Sequence, residues 1–477
     1  MNKNLACFVG AAFIGVALRF VVNLEPVWWL AWFVPGLLLA LTLRAGNGVA
    51  RGCVALAAAI GVTANLTFFL NVMPLVPVII VMALQVLLWM LVIGSARRIV
   101  LAFQSAWTML ALPVIGVAAD TLLAHFTPDG NWGSLAYTQA DVLPVAQVSS
   151  ISGVAGILFV LLLVNSAVAF AIHFGMRLRG ARAAYAAAMV TVAFVAAFGF
   201  WRLRLPLVGQ PMTFGIASID DFVSARDTPR SDEIWLRYQA QIAALASKGA
   251  RVVLLPEKIS VLPTGQAEPL KQRLAEMARD NGVWLVVGLG VDTGQERRNE
   301  AWWFAPDGTL TTNYLKHFMA PPEREFVPGD QFPVNRIEGA NYGVAICKDM
   351  HFASLGRDFG ARDAGVMLVP AWDFDDDAWL AAHMTKLRGV ENGYTIVRAS
   401  RDGLLSVSDA HGRMLAQTRS ASMPGASLLA TVTVGPRVPT IYTRVGDALG
   451  WLCIAGMLVL VPLSAMRKRK GAGKGAG

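Results

Sequence analysis

Three polar residues each close an apolar run. Val252-Val-Leu-Leu-Pro-Glu257 puts a carboxylate just past a strand-like stretch, Tyr314-Leu-Lys316 ends on an ammonium after a hairpin, and Tyr342-Gly-Val-Ala-Ile-Cys347 ends on a thiol. Such a trio has a coherent chemistry. A thiol attacks as its thiolate. Glu257 is the candidate general base, provided burial raises its pKa. Lys316 offers a fixed positive charge beside a developing oxyanion, and a backbone N–H next to Cys347, such as that of Lys348, is the candidate second donor. The product would be a thioester acyl-enzyme, resolved by a second nucleophile. Singly, each residue has an ordinary explanation. A Glu after a strand is usually a solvated loop residue, a lone Lys is usually on the surface, and a lone Cys is usually buried and inert.

The cysteines sharpen this. Of Cys7, Cys53, Cys347 and Cys453, only Cys347 lies outside an apolar stretch. It has no partner for a disulfide within its own region, and a lone thiol of that kind signals reactivity. The six histidines are scattered, and His317, His351, His383 and His411 show no metal-ligand spacing.

The elements that must position the trio can be read between residues 213 and 435. Strands are expected at Thr213–Ile219, Arg251–Leu255, Val283–Leu289, Trp302–Ala305, Val344–Ile346, Val366–Val369, Thr395–Ser400, Leu404–Ser408 and Leu428–Val434. Helices are expected at Asp232–Ser247, Pro269–Asn281, His351–Ala364 and Asp376–Asn392. This alternation predicts an α/β domain, and in such sheets sites gather at the carboxyl ends of strands.

The rest of the chain is a different material. Over 477 residues, 55% are hydrophobic and 15% charged, against about 25% charged in a soluble domain. Apolar spans are expected near 5–22, 27–44, 52–71, 74–94, 99–124, 153–174, 182–201 and 447–465, each close to the roughly 20 residues that cross a bilayer. The first has no cleavage site after it and is read as retained. Lys3, Arg44, Arg51, Arg97, Arg98, Arg177, Arg179, Arg182 and the 467–470 basic run fall on one side by this count, and loops 23–26, 72–73 and 125–152 hold almost no Lys or Arg. The positive-inside rule makes the basic side cytoplasmic and the α/β domain extracytoplasmic. The net charge of +9 is therefore read as topology, and nucleic acid is excluded because no basic stripe interleaves with aromatics. In loop 125–152, Trp132 and Tyr137 suit a membrane–water interface, or the loop lines a lipid-facing entrance. A transporter is disfavoured, since Arg19 and Asp120 are the few charges in the spans and both lie near span ends. The boundaries are 1–204 for the membrane domain of seven spans, 205–440 for the catalytic domain, 441–466 for a last span and 467–477 for a basic tail. Its Gly/Lys end, 471–477, is expected without structure.

Leu254-Leu-Pro-Glu257, Tyr314-Leu-Lys316, Ile346-Cys-Lys-Asp349 and Phe326-Val-Pro-Gly-Asp330 resemble the motifs of the nitrilase, or carbon–nitrogen hydrolase, superfamily. The resemblance implies an α-β-β-α sandwich with Glu257 as base, Lys316 as oxyanion stabiliser and Cys347 as nucleophile, and no metal or organic cofactor. Pro26-Val-Trp-Trp-Leu-Ala-Trp32, Asn131-Trp-Gly-Ser-Leu-Ala-Tyr-Thr-Gln139, Ser152-Gly-Val-Ala-Gly156, Leu163-Val-Asn165, Leu387-Arg-Gly-Val-Glu-Asn-Gly393 and Pro439–Asp447 are similar to the apolipoprotein N-acyltransferases. That likeness implies a bacterial inner-membrane enzyme with a periplasmic domain. It would move an acyl chain from a phospholipid donor, through Cys347, to the diacylglyceryl-cysteine amine of an apolipoprotein acceptor. The chain departs from that family at Cys347-Lys348-Asp349, where Cys-Tyr-Glu is usual, and at Val369-Pro-Ala-Trp-Asp-Phe374, which is more nitrilase-like. The family's supporting Glu maps onto Glu325 by its spacing to Phe-Val-Pro, or onto Glu323. A membrane-anchored amidase, or an acyltransferase with another acceptor, is the alternative.

Overall fold

A computed structural model of the chain describes residues 2–223 and 229–473. It contains two compact units, Met1–Trp201 with Asp447–Gly477, and Arg202–Gly446.

The first unit is helical. Among the described residues seven helices are long and apolar enough to cross a membrane: Lys3–Val21, Asn47–Val72, Leu75–Phe103, Ala106–Phe126, Val154–His173, Ala181–Arg204 and Ala448–Arg467; Leu30–Leu43 is apolar but shorter. All eight expected spans thus exist as apolar helices. Their outward faces carry Leu75, Val76, Leu84, Met189, Leu452 and Leu458, each more than half exposed. An apolar surface of that extent belongs in lipid. The fourth span differs from its expected end at 94. The helix runs to Phe103 and stops where Gln104 takes a left-handed φ of 47°, so Arg97 and Arg98 sit on it, not in a loop. Arg97 instead caps its neighbours, donating to the carbonyls of Thr42 and Ala45. Asn165, fully buried, accepts from Gly36 N–H and donates to the carbonyls of Ala31 and Leu161. A polar side chain can lie in this interior because its hydrogen-bonding groups are paired. Of the tail expected without structure, 471–473 continue the last helix, and 474–477 lie outside the described residues.

The second unit has thirteen strands among the described residues: β1 Gln210–Ser218, β2 Val252–Leu254, β3 Val261–Leu262, β4 Trp284–Asp292, β5 Arg297–Phe304, β6 Leu310–Leu315, β7 Val334–Ile337, β8 Ala340–Val344, β9 Val366–Trp372, β10 Thr395–Arg401, β11 Leu404–Ser408, β12 Met414–Arg419 and β13 Ala426–Val434. One sheet has the order β13-β1-β2-β4-β5-β6, with β3 beside β4, and the other the order β12-β11-β10-β9-β8-β7. In the first, β1, β2 and β4 are parallel, flanked by antiparallel β13 and β5. In the second, β8, β9 and β10 are parallel, flanked by antiparallel β7 and β11.

Period-two burial explains the layering, because alternate side chains leave a strand on opposite faces. Phe214, Ile216, Val252, Leu254 and Val286 of the first sheet meet Tyr342, Val344, Leu368 and Ile396 of the second in one core between the sheets. Val253, Leu285, Val287 and Leu289 point the other way, under Ile234, Tyr238, Ile242, Leu270 and Leu274 of helices Pro229–Ser247 and Ala267–Asn281. Helices Ala353–Ala361 and Ala378–Asn392 accompany the second sheet. The result is the expected α-β-β-α sandwich. Strands β3, β6, β7 and β12 were not expected; they are short or strongly polar, and β12 reads Met-Leu-Ala-Gln-Thr-Arg with alternate residues exposed. The expected helix from His351 begins at Ala353, because residues 347–351 form a separate tight turn of 3-10 helix.

Candidate active site

Each of the three residues stands just beyond a strand's carboxyl end: Glu257 after β2, Lys316 after β6, Cys347 after β8. Local geometry fixes each one. The Glu257 N–H donates to the Ala371 carbonyl at 3.2 Å, tying the end of β2 to β9 of the opposite sheet. Gly288 of β4 lies directly beneath. A Cβ there would meet Glu257 Cα and the Pro256 oxygen at 2.5 Å, so only glycine permits this approach. Lys316 N–H donates to the Asn299 carbonyl of β5 at 2.9 Å. Cys347 has a φ of 45°, a left-handed conformation uncommon outside glycine, and it opens the 3-10 turn Cys347–His351.

The structure brings all three together. Lys316 Nζ lies 2.7 Å from Glu257 Oε1 and 2.7 Å from Glu323 Oε2. Asn299 Nδ2 donates to Glu257 Oε1 at 2.6 Å and to Glu323 Oε1 at 2.7 Å. Glu257 and Lys316 are 2% and 1% exposed, and Cys347 is partly exposed. Cys347 is therefore the one residue of the trio with partial exposure. Its thiol donates to the Trp372 carbonyl at 3.5 Å.

The electrostatics fit a neutral resting thiol. Burial, and then the Glu257 carboxylate, push the Cys347 pKa well above its ordinary value, while Lys316 opposes them. Burial works against charge on Lys316, but Glu257 and Glu323 outweigh it and hold the ammonium firmly protonated. Burial also disfavours the Glu323 anion; Lys316 and Lys258 reverse this and hold its carboxyl well below the usual range.

The supporting residues separate clearly. Glu323 is 2% exposed and inside the cluster. Glu325, favoured by spacing, points outward onto Arg297 at 2.7 Å with its side chain 76% exposed. The 3-10 turn Pro321–Glu323 swings Glu323 inward, where its Oε2 also accepts the Ala320 N–H at 2.9 Å. Lys348 Nζ donates to the Met319 carbonyl at 3.0 Å. Asp349 ties the Lys316 and Cys347 loops together. It accepts the N–H groups of Ile346, His317 and Phe318 at 2.9–3.0 Å and the Tyr314 hydroxyl at 2.7 Å.

Sequence reasoning gave no site role to Lys258 or Asn299, and it met Asp373 and Arg398 only within the segments Val369–Phe374 and Arg398–Ser400, not as a pair. Lys258 Nζ lies 2.5 Å from Glu323 Oε1. Arg398 grips Asp373 through both carboxylate oxygens, fully buried, just past the end of β9. Asn299 was hidden because its strand was expected to start at Trp302; the polar run Arg297-Arg-Asn-Glu300 masks the beginning of β5. Among the described residues no group of three or more His, Cys, Asp or Glu is arranged to hold a metal ion.

An α-β-β-α sandwich with a buried carboxylate–ammonium pair and a thiol at its strand ends defines a nitrilase-type domain. The sequence profile of the carbon–nitrogen hydrolase family matches residues 223–428, and that of the apolipoprotein N-acyltransferase N-terminal domain matches residues 14–167. The chain thus matches the two profiles in tandem, that of the apolipoprotein N-acyltransferase N-terminal domain followed by that of the carbon–nitrogen hydrolases. It is 25% identical to the apolipoprotein N-acyltransferase of Geobacter metallireducens over 398 residues, covering 76% of this chain and 75% of that protein. It is 20% identical to the protein of the same name from Borreliella burgdorferi, covering 69% and 70%. Omega-amidase NIT2 of Homo sapiens is 29% identical over 150 residues, covering 27% of this chain and 54% of that protein. Among solved structures, an amidase from Nesterenkonia sp. aligns at 24% identity and a TM-score of 0.41, over 48% of this chain and 93% of the amidase.

Proposed function

We propose that this protein is a lipoprotein N-acyltransferase of the bacterial inner membrane, with its nitrilase-type domain on the periplasmic side. The acyl donor is a phospholipid and the acceptor is the N-terminal diacylglyceryl-cysteine amine of an apolipoprotein. The observation that carries this reading is the shared Glu257–Lys316–Glu323 network next to the Cys347 thiol, in a chain that also holds the multi-span domain of the family.

The cycle follows from the resting state. Because Cys347 is a neutral thiol, it needs a base at the moment of attack, and Glu257 takes its proton. The sulfur adds to the donor's ester carbonyl, and Lys316 with the Lys348 backbone N–H faces the oxyanion. Collapse breaks the ester bond, and the lysophospholipid oxygen leaves with the proton from Glu257. The acceptor amine then attacks the thioester, gives its proton to Glu257, and releases the sulfur, which recovers that proton. A membrane-bound site suits two lipid substrates, since neither must leave the bilayer.

The test uses the full chain in detergent with a phospholipid labelled in its acyl chains. A hydroxylamine-sensitive label on Cys347, transferred on addition of a diacylglyceryl-cysteine peptide, is the expected result. Absence of label, or equal labelling of Cys347→Ala, sinks the reading. A second reading, an amidase or an acyltransferase with another acceptor, is favoured by Cys347-Lys348-Asp349, by Val369-Pro-Ala-Trp-Asp-Phe374 and by the likeness to omega-amidases. It is distinguished by a thioester that water or a small amine resolves while the lipopeptide does not.

A further inference from the structure

Two carboxylates, Glu257 and Glu323, are buried side by side, bridged by one neutral amide, that of Asn299. Lys316 contacts both. One ammonium cannot neutralise two buried carboxylates, and the usual response to that imbalance is that one of them takes up a proton. The second cation is Lys258. Its side chain is 11% exposed, and its Nζ lies 2.5 Å from Glu323 Oε1, the oxygen that Lys316 does not contact. It is held there by more than the ion pair. The ammonium lies 5.3 Å from the Phe326 ring centroid and 5.1 Å from that of Trp372, within cation–π range. Arg401 Nη1 donates to the Lys258 carbonyl at 3.0 Å. The backbone at Lys258 is left-handed, with φ 43°. In an extended chain the side chains of residues 257 and 258 would diverge to opposite faces; this turn lets both enter the same cluster.

We infer that Lys258 is a positioning residue of this site, whose ammonium balances Glu323 so that Lys316 is left to Glu257 and the reacting carbonyl. The inference rests on the Glu257–Cys347 assignment above. The charged neighbours are accounted for. Glu257 faces Lys316, Asn299, the Cys347 thiol and, at longer range, Arg401. Glu323 faces Lys258, Lys316, Asn299 and the Ala320 N–H. Asp349 is held by Tyr314 and three backbone N–H groups, and Asp373 by Arg398. Removing the Lys258 charge leaves two carboxylates competing for Lys316, so Glu257 holds its proton to higher pH. The acidic limb of any reaction that needs the Glu257 anion then moves up.

The readout is the rate of alkylation of Cys347 by iodoacetamide against pH, measured on the full chain in detergent and resolved by peptide mass spectrometry. In Lys258→Met the acidic limb is expected to rise by about one pH unit or more, a tenfold loss of rate below the limb. Lys258→Arg keeps the native limb. The charge-neutral pair Lys258→Met with Glu323→Gln returns the limb towards native. An unmoved limb in Lys258→Met, or an equal shift in Lys258→Arg, overturns the inference, because a purely structural role lowers the plateau without moving the limb. If Met at 258 does not fold, Glu323→Gln alone is the mirror experiment. Lys316 then has Glu257 as its one carboxylate partner in the cluster, the limb must fall, and a limb that stays in place overturns the inference. Alkylation of native Cys347 with no acidic limb at all would instead fail the Glu257–Cys347 assignment, a result distinguishable from any behaviour of the variants.

Discussion

Cys347 and Lys316 divide the work of the site by their surroundings. The thiol is crowded by apolar surface and a carboxylate, so it rests protonated; the ammonium is matched by two carboxylates, so it stays charged. In the proposed cycle such a site depends on Glu257 as base and on the fixed charge of Lys316. Lys316→Ala should therefore lose about 10²–10³ in the rate of acyl-enzyme formation, the scale of one oxyanion donor, with the chain still inserting in the membrane. The two candidate supporting carboxylates give a sharper contrast. Glu323 is buried on Lys316, Lys258 and Asn299, whereas Glu325 forms an exposed pair with Arg297. Exposed pairs contribute about 0–1 kcal/mol, while loss of one partner of a buried pair costs about 3–5 kcal/mol. Glu323→Gln is expected to reduce acyl transfer by at least about a hundredfold and Glu325→Gln by less than about threefold, measured as single-turnover rates of thioester formation. The reverse order would put the supporting role at 325.

Glu257 and Cys347 were legible in the sequence because each follows an apolar strand, and a strand's carboxyl end is where an α/β sheet presents its groups; Lys316 was marked by its Tyr314-Leu-Lys316 motif, since β6 itself is polar. What surrounds them was less legible, for reasons that belong to the elements. Glu325 sits at the expected spacing before Phe326-Val-Pro, but the 3-10 turn Pro321–Glu323 rotates the earlier residue inward, and one extra residue in a turn is invisible to periodicity. Asn299 is partnered by Glu257, 42 positions away, and Lys258 by Glu323 and Arg401, the latter 143 positions away, so no local pattern marks them. Strand β4 shows how far the site depends on its support. Leu285, Val287 and Leu289 anchor it under the helices, Val286 faces the other sheet, and Gly288 leaves room for the turn at Pro256–Glu257. Gly288→Ala would force a methyl against Glu257 Cα and the Pro256 oxygen. Overpacking of this kind costs about 1–3 kcal/mol, and it pushes on the base itself. The expected outcome is a lowered melting temperature together with a loss of Cys347 acylation larger than the loss of folded protein. A variant with native acylation would show that the turn yields without moving the carboxylate.

At the scale of the whole chain, the side on which the nitrilase-type domain lies reduces to a question of parity. Six long apolar helices precede the domain, and an even number would return it to the side of the N-terminus. The shorter segment Leu30–Leu43 decides the matter. Its helical rise of about 21 Å is less than the roughly 30 Å of a hydrocarbon core, yet contacts within the helical unit indicate that it crosses. Near its start, the Trp28 carbonyl accepts from Gln139, and the preceding helix ends where Arg19 donates to Thr63 and Asn65 donates to the Val22 carbonyl. Near its finish, Arg44 donates to the Ile172 carbonyl and Arg97 to the Thr42 and Ala45 carbonyls. These are opposite ends of neighbouring helices, so the segment traverses the bundle. It does so mostly buried, with Val34, Leu38, Leu39 and Ala40 at 0–3% exposure, and a span sheathed by protein need not match the lipid thickness. The topology we propose, with seven crossings, has Arg44, Arg97 and Arg177 together on the cytoplasmic side and the domain on the other. In a parent with its four cysteines replaced by alanine, Lys248→Cys should react with a membrane-impermeant maleimide in intact spheroplasts, and Arg177→Cys only after lysis. Labelling of Arg177→Cys alone in intact cells would reverse the topology, and labelling of both would remove one crossing from the count.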